Sequence, residues 1–302
     1  MPVSRDILKG FVDIHVHAGP SAAKRKVDAW EMLQEADAAG YRGFLVKDHY
    51  FPTMMGAKMC SEHDSKNGCL VFGGLALNRS VGLFNVHAVD AARNLGAKTI
   101  YFPTVSTLNH IEGHAKAGHG FVGSGASAVV DEGMTYIDEK GELIPEAVEV
   151  IKYIAAHPEL VLCTGHGSAA EVDAVVKKAA ELGVEKICVN HPHFLVNATY
   201  DQMGEWARLG AYIELNAAVF SSIAKTGECG DEMIPEILSH VPHDKIVLDS
   251  DLGQAANIDP VEGMFLFINK LVDEFGVTEE EIDLWGKKIP AWMMGLTDKI
   301  EK

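Results

Sequence analysis

The sequence predicts a (β/α)8 barrel with a long insertion after the fourth strand and extra helices at the C-terminus. Short apolar, β-branched runs alternate with helical patterns along nearly all of the 302 residues, and eight such runs occur. Alternation of this kind requires parallel strands joined by covering helices, and eight strand–helix units close such a barrel. No Gly-x-Gly-x-x-Gly follows the first run, which disfavours a doubly wound dinucleotide-binding sheet.

The predicted elements follow each other regularly in chain order. The eight predicted strands are residues 11–16, 43–47, 70–77, 98–102, 160–164, 186–190, 211–216 and 245–249. Between them, apolar residues recur at helical spacing, as at Val172, Val175 and Val176. Several predicted helices end in a glycine that is expected to adopt a left-handed conformation. These glycines are Gly40, Gly96, Gly183 and Gly210.

Two regions depart from this rhythm within what we predict to be one domain, residues 1–302. Residues 104–144 are far longer than an ordinary connection and include His110, His114, His119 and a predicted hairpin over 134–144. Because this segment follows strand 4, it is expected at the mouth of the barrel as a lid-like insertion, with a surface embellishment as the alternative. The chain after Pro260 is predicted to be mostly helical.

Composition narrows the function classes. Lys and Arg number 26 against 43 Asp and Glu, a net charge of −17, so the surface repels nucleic acid and anionic membranes. The chain has no apolar run long enough to span a membrane and no signal-peptide core at its start, so we expect a cytoplasmic protein. The five cysteines match neither a zinc nor a disulfide pattern. We expect a small-molecule substrate, and a homo-oligomer stays open.

Metal-competent side chains occur where predicted strands end. Strand 1 ends with His15 and His17, which share a face because alternate strand residues do, and two such imidazoles can bind one divalent metal. Asp13 lies on the same face and is expected to orient a histidine. The corresponding residues at the ends of strands 5, 6 and 8 are His166, His191, His193, Asp249 and Asp251. In a barrel these ends form the catalytic face.

Strand 2 adds Lys47, followed by His49. A lysine near a barrel interior is costly unless it is paired or neutralised. It would either form an ion pair with Asp251 or Glu214, reach solvent, or react with CO₂ to give an anionic carbamate that bridges two metals. The carbamate requires a deprotonated amine, which burial favours.

With these residues together, the chain resembles the amidohydrolase superfamily over essentially its whole length. The resemblance rests on His-x-His in strand 1, single histidines after strands 5 and 6, and a final aspartate. Val247-Leu-Asp-Ser-Asp251 is similar to the Glu-Thr-Asp ending of TatD-like members, and that register selects Asp251. The segment 289–296 is similar to the close of many members. Most similar is an uncharacterised branch with Lys-x-His on strand 2 and Asp-Leu-Gly-Gln after strand 8.

The resemblance implies a divalent metal, expected to be zinc, with one or two ions per chain. The implied ligands are His15, His17, Lys47, His166, His191 and Asp251, with His49, Asp249 and His110 as further candidates. One ion would take the first two histidines and the aspartate, and a second would take the histidines of strands 5 and 6. Strand 4 lacks the bridging lysine or glutamate of many members, so the bridge would be N6-carboxylysine at Lys47, another group, or nothing. A site with a single metal therefore stays open.

We therefore predict a metal-dependent hydrolase that cleaves a C–N or C–O bond in a cyclic amide, amide, lactone or ester. The predicted catalytic residues are Asp251, which accepts and returns a proton, with Lys47 and His193. Asn78, Arg79 and Asn216 are predicted to contact the substrate. A metal phosphoesterase, a mononuclear decarboxylase and a metal-binding barrel without turnover are the alternatives.

Overall fold

A computed structural model of the chain, which describes residues 3–116 and 132–300, contains one eight-stranded sheet. The strands lie in sequence order, and each is parallel to the next. The strands are β1 (Val12–Val16), β2 (Gly43–Val46), β3 (Leu70–Ala76), β4 (Thr99–Tyr101), β5 (Val161–Cys163), β6 (Ile187–Val189), β7 (Tyr212–Asn216) and β8 (Ile246–Asp249). All eight predicted strands are confirmed, each of them one or two residues shorter than the predicted run.

The sheet closes between the C-terminal end of β1 and the segment that directly follows β8. Val16 forms a parallel bridge with Leu252, and the His17 amide donates to the Leu252 carbonyl at 2.7 Å. The amide of Asp251 donates to the carbonyl of His15 at 2.8 Å. The predicted (β/α)8 barrel is therefore confirmed, and its seam joins the two predicted metal-binding segments.

Helices cover the outside of the barrel. The helices are α1 (Ala29–Ala39), α2 (Met54–His63), α3 (Val86–Asn94), α4 (Leu108–Lys116), α5 (Pro145–Ala155), α6 (Ala169–Glu181), α7 (Tyr200–Arg208), α8 (Met233–His240), α9 (Pro260–Phe275), α10 (Glu279–Asp283) and α11 (Ile289–Met293). The starts of α1 and α6 are fixed by capping boxes, Asp28 with Glu31 and Ser168 with Glu171. Among the described residues, no helix is long and apolar enough to cross a membrane.

The predicted helix-ending glycines behave as expected. Their φ angles are positive, at 82° for Gly40, 93° for Gly96, 77° for Gly183 and 108° for Gly210. A side chain would strain the backbone in that region, which is why glycine occupies these positions. The predicted helical C-terminus is also confirmed, with a π-helical turn at Leu284–Lys288 between α10 and α11.

The described parts of the insertion are held against the barrel. Its predicted hairpin is reduced to one antiparallel bridge, between Ile137 and Leu143. The buried Tyr136 hydroxyl donates to the Pro103 carbonyl at 2.7 Å, and its amide donates to Glu171 Oε1 at 2.7 Å. The glycine-rich run and His119 lie outside the described residues, and a lid function stays a prediction.

Candidate metal centre

The upper end of the barrel brings together His15, His17 and Asp251. Asp251 Oδ1 lies 3.1 Å from His15 Nε2 and 3.0 Å from His17 Nε2. Their candidate ligand atoms all lie within 4.8 Å of one another, and all three residues are buried. The period of two along β1 places both imidazoles on one side, as predicted, and the seam with β8 adds the carboxylate.

The contacts of His15 leave its two ring nitrogens with different tasks. Nδ1 lies 3.2 Å from Glu214 Oε1, to which it donates. Nε2 lies 2.8 Å from Lys47 Nζ as well as 3.1 Å from Asp251 Oδ1. One nitrogen cannot at the same time accept a hydrogen from Lys47 and donate one to Asp251. A cation between Nε2 and the carboxylate would satisfy both groups.

Glu214, on β7, is the central acceptor beneath this cluster. It accepts hydrogen bonds from His15 Nδ1, from Asn190 Nδ2 at 2.9 Å, from the His191 amide at 3.1 Å and from Asn216 Nδ2 at 3.1 Å. Burial alone would raise the pKa of Glu214, but His15, His191 and the donated bonds lower it to about 2. This carboxylate fixes the orientation of His15, the role expected of Asp13.

From the sequence, Glu214 is predicted only as an ion-pair partner of Lys47. The available signal was a glutamate and an asparagine at alternate positions of an otherwise apolar strand. Asp13 instead accepts bonds from two backbone amides, that of Ser250 at 3.1 Å and that of His15 at 3.2 Å. It therefore holds the seam between β1 and β8 rather than an imidazole ring.

His166, His191 and His49 form a second group of imidazoles beside the first. Ring centroids are 4.8 Å apart for His166 and His191, 5.5 Å for His49 and His166, and 4.9 Å for His17 and His49. Burial lowers the pKa of His191 to about 4 and that of His166 and His17 well below the usual value. These rings are consequently neutral near pH 7, which is the form that binds metals.

Three of these nitrogens are buried without a hydrogen-bond partner among the described residues. They are His17 Nδ1, His166 Nε2 and His191 Nδ1. Buried polar atoms are normally paired, so such a concentration at one site indicates a missing partner. Two imidazoles and one carboxylate are also the kind of donor set that catalytic zinc takes from a protein. The residues present therefore fit a divalent metal.

The backbone is strained at two of the predicted ligands. His191 has a φ of 26° and Asp251 a φ of 48°, both in the left-handed region that non-glycine residues rarely adopt. Each such conformation costs about 1–3 kcal/mol and is concentrated at functional sites. Both residues follow a strand end, and both line the cavity at the barrel mouth.

Lys47 lies inside the barrel mouth, 1% exposed. Apart from His15, its Nζ faces the ring of Tyr101, 4.9 Å from the centroid. No described carboxylate lies within 4 Å of Nζ, so neither of the anticipated ion pairs is formed in the part of the chain that the structure covers. Burial lowers the pKa of Lys47, and the more distant Asp251 and Glu214 only oppose that effect.

Several predicted residues lie around the cluster rather than in it. Asn78 donates to the His49 carbonyl and to Thr104 Oγ1, each at 2.7 Å, and accepts from the Thr104 amide. It connects the loops after β2 and β4 and is not among the described cavity-lining residues. Asn216 donates to Asp249 Oδ1 at 2.6 Å. Burial and the negative charge of Glu214 raise the pKa of Asp249 well above its usual value.

The remaining three predicted residues have distinct environments. His193 stacks on Phe220 with centroids 5.5 Å apart, and it is not among the described residues that line the cavity. Arg79 is exposed and donates to the Gly133 carbonyl of the insertion at 3.3 Å. His110 stacks on His166, and their Nδ1 atoms are 2.9 Å apart.

A cavity of about 320 Å³ opens above the histidines. The metal-competent residues line it together with the apolar Phe194, Leu195 and Val219 and with two polar residues that the sequence did not indicate, Arg25 and Gln254. A Lys-Arg-Lys run at 24–26 is ordinarily solvent-exposed, so only its position after strand 1 indicated a role for Arg25. The volume suits a small organic molecule.

The comparisons with known proteins give one family and many similar folds. The model of a family of unknown function (DUF6282) matches residues 10–214. An amidohydrolase from Pseudomonas aeruginosa is 10% identical, with 96% of this chain and 98% of that chain covered at a TM-score of 0.63. A lactonase from Listeria monocytogenes is 12% identical over 99% and 97% of the two chains, with a TM-score of 0.59.

A 2,6-dihydroxybenzoate decarboxylase is 10% identical over 95% and 99% of the two chains, with a TM-score of 0.56. At these identities the likeness establishes the fold, and it confirms at that level the resemblance noted in the sequence. A search of the curated proteins found no match.

Proposed function

The chain belongs to the family of unknown function DUF6282, and we propose that it is a metal-dependent hydrolase acting on a C–N or C–O bond of a small carbonyl compound. The observation that carries this proposal is the convergence of His15, His17 and Asp251 at the barrel mouth. A cyclic amide, amide, lactone or ester is the substrate class. The similar folds of an amidohydrolase and a lactonase support it.

The metal is proposed to be zinc, held by His15, His17 and Asp251. His166 and His191 would hold a second ion, and their unpartnered nitrogens support that assignment. A bound divalent metal supplies a water whose pKa is lowered toward neutrality, and it polarises the carbonyl under attack.

Asp251 is proposed to move the proton. Burial acts to raise the pKa of Asp251, but the adjacent His15 and His17 outweigh it and hold the pKa far below its usual range. The carboxylate is therefore ionised at neutral pH and accepts a proton from the attacking water. It then delivers that proton to the leaving nitrogen or oxygen. The hydrogen bond from His15 to Glu214 keeps the histidine in place during this transfer.

Lys47 is proposed to carry CO₂ as N6-carboxylysine. Its buried Nζ lies 2.8 Å from His15 Nε2, at the cluster of ligands, and burial favours the neutral amine. The nitrogen lone pair attacks the carbon of CO₂, one proton leaves the nitrogen, and an anionic carbamate results. The carbamate anion would replace the lysine ammonium cation between the ligands of the first ion and those of the second. His49, which also lines the cavity, is proposed to contact the substrate oxygen.

Elemental analysis of metal per chain tests the proposal, with Asp251→Asn and Lys47→Ala compared against the wild type. Asp201→Asn is the matched control because its side chain is 89% exposed on α7. We expect zinc in the wild type and the control, and its loss in Asp251→Asn together with hydrolysis of a lactone and ester panel. Intact native mass is expected to show one added CO₂ that Lys47→Ala lacks.

A wild-type chain that stays metal-free after reloading with zinc would contradict the proposal. So would an Asp251→Asn variant with unchanged metal content and unchanged turnover. If metal is bound while Lys47 is unmodified, the carbamate is refuted and the proposed hydrolase still stands.

A further inference from the structure

Arg25 lies in the loop between β1 and α1, at the barrel mouth. Its backbone forms an antiparallel bridge with Gln254, so the loops after the first and last strands are joined at this point. Its side chain is only 4% exposed and lines the same cavity as His17 and Asp251. A guanidinium is thus fixed inside the cavity by a paired backbone.

This guanidinium is incompletely satisfied by the protein. It forms a long ion pair with Asp48, at 3.7 Å between Nη2 and Oδ2, which is beyond hydrogen-bond distance. Nε and Nη2 are buried and donate to no described residue. A buried charged donor without an acceptor is costly, so its presence here indicates an acceptor that comes from outside the chain.

Asp48 is already engaged elsewhere. Its Oδ1 accepts from the amides of Tyr50 at 2.8 Å and Phe51 at 3.1 Å, and its Oδ2 accepts from the Ser21 hydroxyl. The carboxylate therefore holds the turn after β2 and is not aligned to receive two parallel N–H groups from Arg25. Such a pair of parallel bonds is the arrangement by which arginine recognises a carboxylate.

We propose that Arg25 binds a carboxylate group of the substrate, so that the substrate is a small lactone, ester or amide that also carries a carboxylate. The inference rests on the proposed function, because it takes this cavity as the substrate site. The carboxylate would lie against Arg25, and the scissile carbonyl would lie toward His17 and Asp251, which line the same cavity. Phe194 and Val219 would cover the apolar part between the two groups.

Benzoate and its neutral analogue benzamide are the probes, titrated calorimetrically into zinc-loaded and chelator-treated protein. Wild type is expected to bind benzoate more tightly than benzamide, and Arg25→Met to weaken benzoate about tenfold to a hundredfold. Benzamide affinity should change by less than about twofold. Lys225→Met is the matched control, since this cation also lines the cavity but is exposed, and its effect should stay within about twofold.

Two further variants keep the test decisive if Arg25→Met folds poorly. Arg25→Lys keeps the charge but loses the planar pair of donors, so benzoate should still weaken. Asp48→Asn removes the competing carboxylate, so benzoate affinity should be retained or increased. Equal losses in Asp48→Asn and Arg25→Lys would mean that the ion pair is only structural and would overturn the inference.

Other outcomes also overturn it. Unchanged benzoate affinity in Arg25→Met, or benzoate binding that disappears only with the metal, would show that Arg25 is not the anchor. If inorganic phosphate binds more tightly than benzoate and depends on Arg25 to the same extent, the substrate group at Arg25 is a phosphoryl group and not a carboxylate. Dependence on Arg25 in protein that never binds metal would leave this inference standing while the proposed function fails.

Discussion

Glu214→Gln replaces the central acceptor under the metal centre by a side chain of nearly the same shape. All five described partners of Glu214 are donors: His15 Nδ1, Asn190 Nδ2, the His191 amide, Asn216 Nδ2 and, at 3.5 Å, the Cys188 thiol. A glutamine must direct an NH₂ group at some of them. At least one buried donor then loses its acceptor, and the new amide hydrogens face other hydrogens.

The magnitude follows from the pKa of Glu214. Folding lowers it from 4.5 to about 2, and this difference corresponds to about 3 kcal/mol of stability. Because the folded pKa is depressed, this contribution is complete above pH 4.5 and is lost as the pH falls toward 2. Removing one partner of a buried charge network costs about 3–5 kcal/mol. We expect Glu214→Gln to lower the free energy of unfolding by that amount at pH 7.

Urea unfolding at pH 7, followed by circular dichroism, measures this loss. Glu149→Gln is the control, because that side chain is 62% exposed on α5 and its change should stay within about 0.5 kcal/mol. Zinc affinity should also fall about tenfold to a hundredfold in Glu214→Gln, because His15 loses the acceptor of its Nδ1 hydrogen. A loss of stability under about 1 kcal/mol, with unchanged zinc affinity, would refute the role assigned to Glu214.

Three further predictions concern the backbone, protons and metal. Gly165→Ala should destabilise the protein strongly in thermal unfolding, because Gly165 has a φ of 70° and an added Cβ would lie 2.4 Å from the Phe102 carbonyl oxygen. In Gly56→Ala, on α2, the added Cβ would have no neighbour within 4 Å, so this variant should instead be more stable by about 0.5–1 kcal/mol. Similar results for the two variants would contradict the structure. The stability of metal-free protein should fall as the pH drops from about 6.5 to about 4, because the unfolded chain then protonates histidines that burial keeps neutral in the folded protein. His191, whose pKa burial lowers to about 4, is one of them. A urea-unfolding free energy that stays constant over this pH range would count against these pKa shifts. In the wild type, chelation of the metal should lower the melting temperature and added zinc should restore it. In Asp251→Asn, added zinc should not restore it. An equal response of the two proteins would show that the ion binds elsewhere.

The sequence predicts the barrel and its metal-competent ends well because both depend on local rules. Strands and helix-ending glycines follow from short-range pattern, and barrel closure then brings His15, His17 and Asp251 to one edge. That part of the site requires only the order of the strands and the period of two along β1.

The remaining features depend on contacts and turns that no local pattern contains. β6 ends at Val189, so the alternation of side chains no longer governs His191 and His193. The first turns into the cavity with a φ of 26°, whereas the second stacks on Phe220. The acceptor for His15 is Glu214, 199 positions away on β7, and such a pairing is set by the closed barrel alone.

The closing seam of the barrel gives the order of synthesis a role in forming the site. Ser250 Oγ donates to the His15 carbonyl across 235 positions of the chain, and Asp251 directly follows. His15 and His17 leave the ribosome long before their carboxylate partner, because 235 positions separate His15 from Ser250, the residue before Asp251. A contact of such long range forms late, because its loop-closure entropy must first be overcome. A nascent chain would therefore hold its first two ligands without their partner until the last strand docks. A cation bound by all three residues would then stabilise the closed barrel.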